Sequence, residues 1–419
     1  MKPTAAQLAV AVSKRAENRC EYCRMHQSLQ GATFHVEHIV PESKGGKTEN
    51  LAWCCPSAGS VKYCSPLTTP GNLRRQRYEE IEARPGVVVL SERRRAGGIV
   101  KRNAGASLVD LGDGVLCLEF HSKMNTLGEG VIAMMHRALD RVERDGMTGL
   151  VLGNDDPRTF TAGADLSMVL RLIQGGDWKK VEAAVKGFQD TSLRLRQSPF
   201  PVVSAPFGLT LGGGAEFSLH ADQVQAHAEL YMGLVEVGVG IIPAGGGTTE
   251  LLFRFMGDLG PYPDADPFEA VRRAFQLIAM ATTSTSALEA RKLGFLRERD
   301  RITMNRDRLL ADAAARVVDL APDYVPPSPR TIVAMGNDAL GNLKYAAWAM
   351  KEAGQITDHE VRIAHELAYV LTGGDGPPRQ VTETDILALE REAFLKLLGT
   401  KETQERMQYT LKTGKPLRN

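Results

Sequence analysis

Several features are scarce in this chain of 419 residues, and each scarcity excludes something. No uninterrupted apolar run approaches the roughly 18 residues that a membrane-spanning helix requires, so no membrane span is expected. Basic residues exceed acidic ones by a single charge, 51 against 50, so no overall field draws the chain to nucleic acid or to an anionic membrane. The N-terminus, MKPTAAQLAVAVSKRAENR, turns charged at Lys14 and lacks the apolar centre of a signal peptide. A cytoplasmic location is therefore expected. No G-x-G-x-x-G follows a strand near an N-terminal βαβ unit, so no NAD binding is predicted. Cysteine almost vanishes after residue 64: of six, only Cys117 lies beyond Cys20, Cys23, Cys54, Cys55 and Cys64. In a cytosolic chain such clustering points to metal ahead of disulfides.

What is present divides into four stretches: 1–70 bears Cys and His; 71–107 reads as a basic linker; 108–330 reads as α/β; 331–419 reads as helical. Within 71–103, nine Arg and Lys face four Glu. From Leu108, SLVDLGDGVLCLEF reads as two strands around Gly112-Asp113-Gly114. EGVIAMMHRALDRVERDG follows as an amphipathic helix ended by Gly146. TGLVLGN, PFPVVSAPFG and DQVQAHA read as strands, and ADLSMVLRLI and GGAEFSLHAD as helices. Strands alternating with helices argue for α/β architecture. Past APDYVPPSPRTI, four segments carry helix-period apolar residues.

The candidate chemistry lies in two strand-to-helix turns and one misplaced charge. In FGLTLGGGAEFSLHAD a strand ends, glycines follow, and a helix begins near Gly213 or Gly214. A helix N-terminus presents unpaired N–H groups, and glycines let a substrate oxygen approach them. Glu216 follows Gly213 by about one turn and can face the same side. DDPRTFTAGADL repeats the arrangement, with Ala162 as a second N–H donor; its bland reading is a turn capped by Asp165. Two N–H groups converging on one oxygen would form an oxyanion hole. In LYMGLVEVGVGIIPAGGG, Glu236 stands among apolar residues and glycines. A buried carboxylate is costly unless paired, hydrogen-bonded or protonated.

Taken together, FTAGADL (160–166), GLTLGGGAEFSLHAD (208–222) and LVEVGVGIIPAGGGTTEL (234–251) resemble the crotonase, or enoyl-CoA hydratase/isomerase, superfamily in order and spacing. FHSKMNTLG (120–128) looks like that family's segment bordering the CoA nucleotide. The form is similar to the hydratase module of bacterial 3-hydroxyacyl-CoA dehydrogenase/enoyl-CoA hydratase proteins, tail included. The resemblance implies a spiral of ββα units with a helical C-terminal extension and assembly as a homotrimer or hexamer. It implies an acyl-CoA substrate, no required cofactor, and a β-oxidation dehydrogenase or thiolase as a partner. By the same resemblance, Ala162 and Gly213 supply the oxyanion amides, and Glu216 and Glu236 are the catalytic pair. Lys123, Asn125, Gly163, Asp165 and Gly212 border the substrate. Hydratases of this fold use both glutamates, whereas many isomerases keep only the second, so hydration of trans-2-enoyl-CoA leads and isomerisation of 3-enoyl-CoA follows. MGDLGPYPDADPFEAVRRAFQLIAMATT is longer than the usual family connection.

Residues 15–62 resemble the HNH endonuclease family, a small ββα-metal fold with a supporting zinc. The resemblance rests on Cys20, Cys23, VEHIVP with Glu37 and His38, GGKTENL with Asn50, and Cys55. It implies zinc on Cys20, Cys23 and Cys55, with His38 as general base and Glu37 and Asn50 near a divalent ion. The second knuckle departs from the pattern: Cys55-Pro56-Ser57 continues as Ala58-Gly59, without a fourth thiolate or the metal-binding Asn. A degenerate module is the expectation, with a DNA-nicking protein on a passive crotonase scaffold as the alternative.

Overall fold

The structure, a computed structural model, describes residues 86–262 and 264–419, together with the backbone of four short strands before them. The chain divides into two compact units, Met1–Pro85 and Gly86–Asn419. In the first unit, His35–His38 pairs antiparallel with Leu51–Cys54, and Gly71–Asn72 with Arg77–Tyr78. Cys20, Cys23, Asn50 and Cys55 lie outside the described residues, and of Glu37 and His38 only the strand backbone is described. The ββα-metal module and its zinc therefore stay expectations of the sequence.

The second unit opens inside the stretch read as a linker. Leu90–Arg95 forms α1 and Ile99–Arg102 forms β1, which pairs with Ala106–Gly112 (β2). From Gly86 the basic stretch is thus part of the fold, because Leu90 is buried and the backbone of β1 completes a sheet edge. β2 turns through Asp113 (φ 53°) into Val115–Phe120 (β3). Helix α2, Glu129–Arg144, follows. Its buried residues Val131, Met134, Met135, Ala138, Leu139 and Val142 recur at helical spacing and form one stripe. Each fully buried Met, Leu or Val there contributes about 1.5–3 kcal/mol.

Three further units repeat one pattern: a strand in the large sheet, a strand in a small sheet, then a helix. Gly149–Gly153 (β4) and Thr159–Thr161 (β5) lead to Leu166–Gln174 (α3) and Trp178–Arg196 (α4). Val202–Ser204 (β6) and Gly208–Leu211 (β7) lead to Gly213–His220 (α5). Gln223–His227 (β8) and Leu230–Gly233 (β9) lead through a 3₁₀ turn, Glu236–Val239, to Gly247–Asp258 (α6). Pro267–Ala279 (α7) and Ala287–Leu293 (α8) precede Arg301–Thr303 (β10) and Leu309–Leu320 (α9). The large sheet has the order β10-β8-β6-β4-β3-β2-β1 and the small one β9-β7-β5. All pairs from β3 to β10 are parallel, and β4 is buried throughout, as a strand covered on both faces must be. This is the expected spiral of ββα units.

The long connection after α6 becomes α7, whose start is capped by Asp266 accepting from the Phe268 N–H at 2.9 Å. The C-terminal extension comprises Thr331–Ala334 (β11), Asn337–Glu352 (α10), Asp358–Leu371 (α11), Arg379–Thr382 (β12), Glu383–Leu398 (α12) and Lys401–Thr413 (α13). Its apolar faces share one core with α6 and α7. Glu250, fully buried on α6, joins the two parts. It receives Arg254 at 2.7 Å, Arg297 at 2.8 Å, Arg196 at 3.3 Å, and Arg330. Burial pushes its carboxyl up, yet the four guanidinium groups hold it well below the usual range. Arg330 and Arg196 also reach Glu383, at the start of α12. No described helix is long and apolar enough to cross a membrane.

Candidate active site

The carboxyl ends of β5, β7 and β9 lie side by side in the small sheet, with Thr161 opposite Thr210 and Leu211 opposite Gly233. Each end carries one of the sequence motifs. After β5, the Ala162 N–H donates to the Met124 carbonyl at 3.1 Å, and the Gly163 carbonyl accepts from Leu127 at 2.8 Å. The Asp165 N–H donates back to the Leu127 carbonyl at 3.4 Å. These bonds form a parallel bridge in which Ala164 faces Leu127 but directs its own N–H to the other side. There it meets the start of α5: a Cβ built on Gly213 would lie 3.5 Å from Ala164 N. Neither the Ala164 nor the Gly213 N–H has an acceptor among the described residues.

The expectation for Ala162 is thereby corrected. Its amide is engaged, and the loop's free donor beside Gly213 is Ala164. Gly163 makes the approach possible: it sits at φ 93°, and a Cβ there would meet the Leu211 carbonyl at 3.0 Å and Gly213 N at 3.3 Å. Other flanking residues hold the loop. Asn125 is buried and donates to the Thr159 carbonyl at 2.8 Å. Asp165 caps α3 by accepting from Ser167 N at 3.0 Å and Met168 N at 3.2 Å. Lys123 stands exposed on the 3₁₀ turn Lys123–Asn125 stitched to this loop.

All eight residues of α5 are buried, so Glu216 in its first turn is 4% exposed. Its Oε1 accepts from Gly245 N at 2.8 Å and Gly247 N at 2.9 Å. Burial pushes its carboxyl up to about 7, with those two N–H groups pulling the other way. Glu236 opens the 3₁₀ turn beyond β9, and its Oε2 is buried without a hydrogen-bond partner among the described residues. Burial first, then the charges of Glu216 and Glu390, hold its carboxyl well above the usual range. The Glu216 charge is thus close enough to oppose the ionisation of Glu236. Gly212, at φ 53°, passes so close that a Cβ would lie 3.0 Å from Glu236 Oε1. α13 braces the same turn: Thr403 Oγ1 donates to the Gly240 carbonyl at 2.6 Å, and Arg406 to that of Val237 at 3.4 Å.

The structure brings Glu216, Glu236, Gly163, Gly212 and Gly213 together and gives Asn125 and Asp165 structural bonds. A third buried acid, Glu390 of α12, was not foreseen. Its signal was available: it occupies the apolar stripe Ile386, Leu387, Ala393, Phe394 and Leu397, where a charge is out of place. Among the described residues, no group of three or more His, Cys, Asp or Glu is placed to hold a metal ion.

The repeated ββα units, with two free amides at the ends of adjacent strands, have the arrangement of the crotonase class. Residues 110–259 match the enoyl-CoA hydratase/isomerase family, which places that stretch in the crotonase superfamily. The chain is 42% identical over 349 residues to the probable 3-hydroxyacyl-CoA dehydrogenase of Bacillus subtilis (strain 168), covering 82% of this chain and 43% of that one. It is 30% identical over 224 residues to human mitochondrial methylglutaconyl-CoA hydratase, covering 51% of this chain and 56% of that one. The crystal structure of a carnitinyl-CoA dehydratase from Mycobacterium thermoresistibile shares the fold, with a TM-score of 0.54 at 18% identity, covering 75% of this chain and 91% of that one. Residues 20–57 match the HNH endonuclease family. The chain spans about two fifths of the length of the curated relatives that it matches over most of its own length.

Proposed function

We propose that this chain is an enoyl-CoA hydratase that adds water across the 2,3 double bond of trans-2-enoyl-CoA in fatty-acid β-oxidation. The observation that carries this reading is the pair of buried acids, both raised above the ordinary carboxyl range, beside two unengaged amides. The thioester oxygen accepts from Ala164 N–H and Gly213 N–H, each donor contributing about 3–4 kcal/mol as charge develops on that oxygen. Glu216, the more easily ionised acid, takes a proton from water while the water oxygen bonds to C3. The C2–C3 π electrons move to the enolate, and Glu236, its carboxyl held well above the usual range by burial and by the Glu216 charge, delivers a proton to C2. Water is consumed in full, hydroxyl to C3 and the proton balance to C2. Glu236 regains its proton from Glu216 through solvent before the next turnover.

An isomerase acting on 3-enoyl-CoA needs only one acid to move a proton; retention of both acids in one site favours hydration. The test is loss of crotonyl-CoA absorbance with wild-type protein, Glu216→Gln and Glu236→Gln. Wild type turns over, and each variant loses at least about 100-fold in kcat with unchanged melting. Wild-type activity on 3-enoyl-CoA alone, or near-normal turnover in either variant, defeats the reading.

A further inference from the structure

The loop Gly245-Gly246-Gly247 holds Glu216, yet it has no side chain with which to hold itself. None could be added. A Cβ on Gly245 would lie 2.4 Å from the Phe188 ring and 2.5 Å from Glu216 Oε2. On Gly246 it would lie 2.8 Å from the His220 ring, and on Gly247 2.9 Å from Glu216 Cγ. Gly246 is also the N-cap of α6, at φ 102°, and offers no capping oxygen of its own. The backbone N–H groups are the loop's remaining polar handles on this side.

Two carboxylates take those handles in alternation. Gly245 N and Gly247 N donate to Glu216 Oε1. Between them, Gly246 N donates to Glu390 Oε1 at 2.7 Å, and one turn on, Thr249 N and Oγ1 donate to Glu390 Oε2 at 2.9 and 2.8 Å. Glu390 comes from α12, more than 140 residues away, and therefore serves as a remote cap for α6. Gln189 of α4 holds it in turn, donating to the Leu387 carbonyl at 3.0 Å and to Glu390 Oε1 at 3.4 Å. The Gln189 side-chain oxygen accepts from Arg391 at 2.7 Å. Glu390 is fully buried, and an acid without a role would be expensive there.

We infer that Glu390 is a positioning residue: the C-terminal extension fixes the Gly245–Gly247 loop through it, and the loop fixes the carboxylate of Glu216. The inference rests on the hydratase reading for its effect on rate. It makes the extension a working part of the active site, although α12 contributes no atom to the reacting centre.

The experiment compares wild type, Glu390→Ala and Glu390→Gln of the full chain in crotonyl-CoA hydration. It also follows backbone hydrogen exchange of the peptide spanning residues 240–250. Misplacement of a reacting group from a distance costs as much as about 100-fold in rate. The expected result for Glu390→Ala is a kcat lowered by about 10- to 100-fold, a KM within about threefold of wild type, cooperative melting, and faster exchange confined to that peptide. Glu390→Gln, which keeps one acceptor oxygen, falls between the two. A kcat within about twofold of wild type, or faster exchange throughout the protein in both variants, overturns the inference. If wild type does not hydrate crotonyl-CoA, the hydratase reading fails separately. The exchange data then decide: faster exchange confined to 240–250 sustains the positioning role, and unchanged exchange ends it.

Discussion

At the scale of single residues, glycine decides how closely the groups of the site approach. Gly212 and Gly163 both hold positive φ, and both face groups of the site at contact distance. Gly212→Ala adds a methyl group 3.0 Å from Glu236 Oε1 and strains the backbone at φ 53°. It is expected to lower kcat at least tenfold, about 1.4 kcal/mol in activation free energy, in the crotonyl-CoA assay. Normal turnover would show that Glu236 has room to move and that its placement is not critical. Much of this was legible in the sequence. Glu236 stood out as a charge in apolar surroundings, Gly213 as a glycine opening a helix, and Glu216 as an acid about one turn after it. Ala164 was not legible, because the choice between Ala162 and Ala164 depends on which face of the loop meets Met124, a contact across 38 residues of chain.

At the scale of elements, the acids at the start of α5 and on α12 tie stability to pH. Burial raises Glu216 to about 7 and Glu390 to about 8, both above the ordinary carboxyl value of 4.5 that applies to the unfolded chain. The charge that bears on Glu390 is that of Glu216, and Glu390 bears in turn on Glu236; His220, beneath the same loop, is pushed down to about 4 by burial and contributes with the opposite sign between about pH 4 and 6.5. Between about pH 4.5 and 8 these two acids hold protons in the folded state that they have released in the unfolded one, so their contribution to stability falls as pH rises. The contribution is complete below the unfolded value and is lost through the folded one. Against wild type, Glu390→Gln is expected to lose less melting temperature, or to gain more, as pH rises from about 5 to 8.5, because it lacks the Glu390 contribution. Equal slopes in melting scans would remove Glu390 from the account. The strands and helices themselves were largely predicted, since α2 and α3 show their stripes and β4 its apolar run. α5 shows no stripe because every face of it is covered. Its sequence announces itself through glycines instead.

At the scale of the whole molecule, Glu250 ties the ββα core to the extension. Removing its charge leaves Arg196, Arg254, Arg297 and Arg330 facing one another, with Glu383 paired to Arg196 and Arg330 only. Glu250→Gln is expected to cost about 3–5 kcal/mol in denaturant unfolding, the usual effect of stranding buried charge. A loss below about 1 kcal/mol would mean that the arginines reach solvent and that the junction is held by apolar packing alone.

The sequence alone determined the class of architecture, the two acids and the N-terminus of α5. Those features are local: periodicity, a glycine before a helix and a charge among apolar neighbours are all set within one or two turns of chain. Tertiary structure decided which amide is free, where the basic stretch stops being a linker, and that an acid near the C-terminus braces the loop behind Glu216. Each of these depends on a hydrogen bond or strand pairing between segments distant in the chain, and such partners are fixed only when the chain closes on itself.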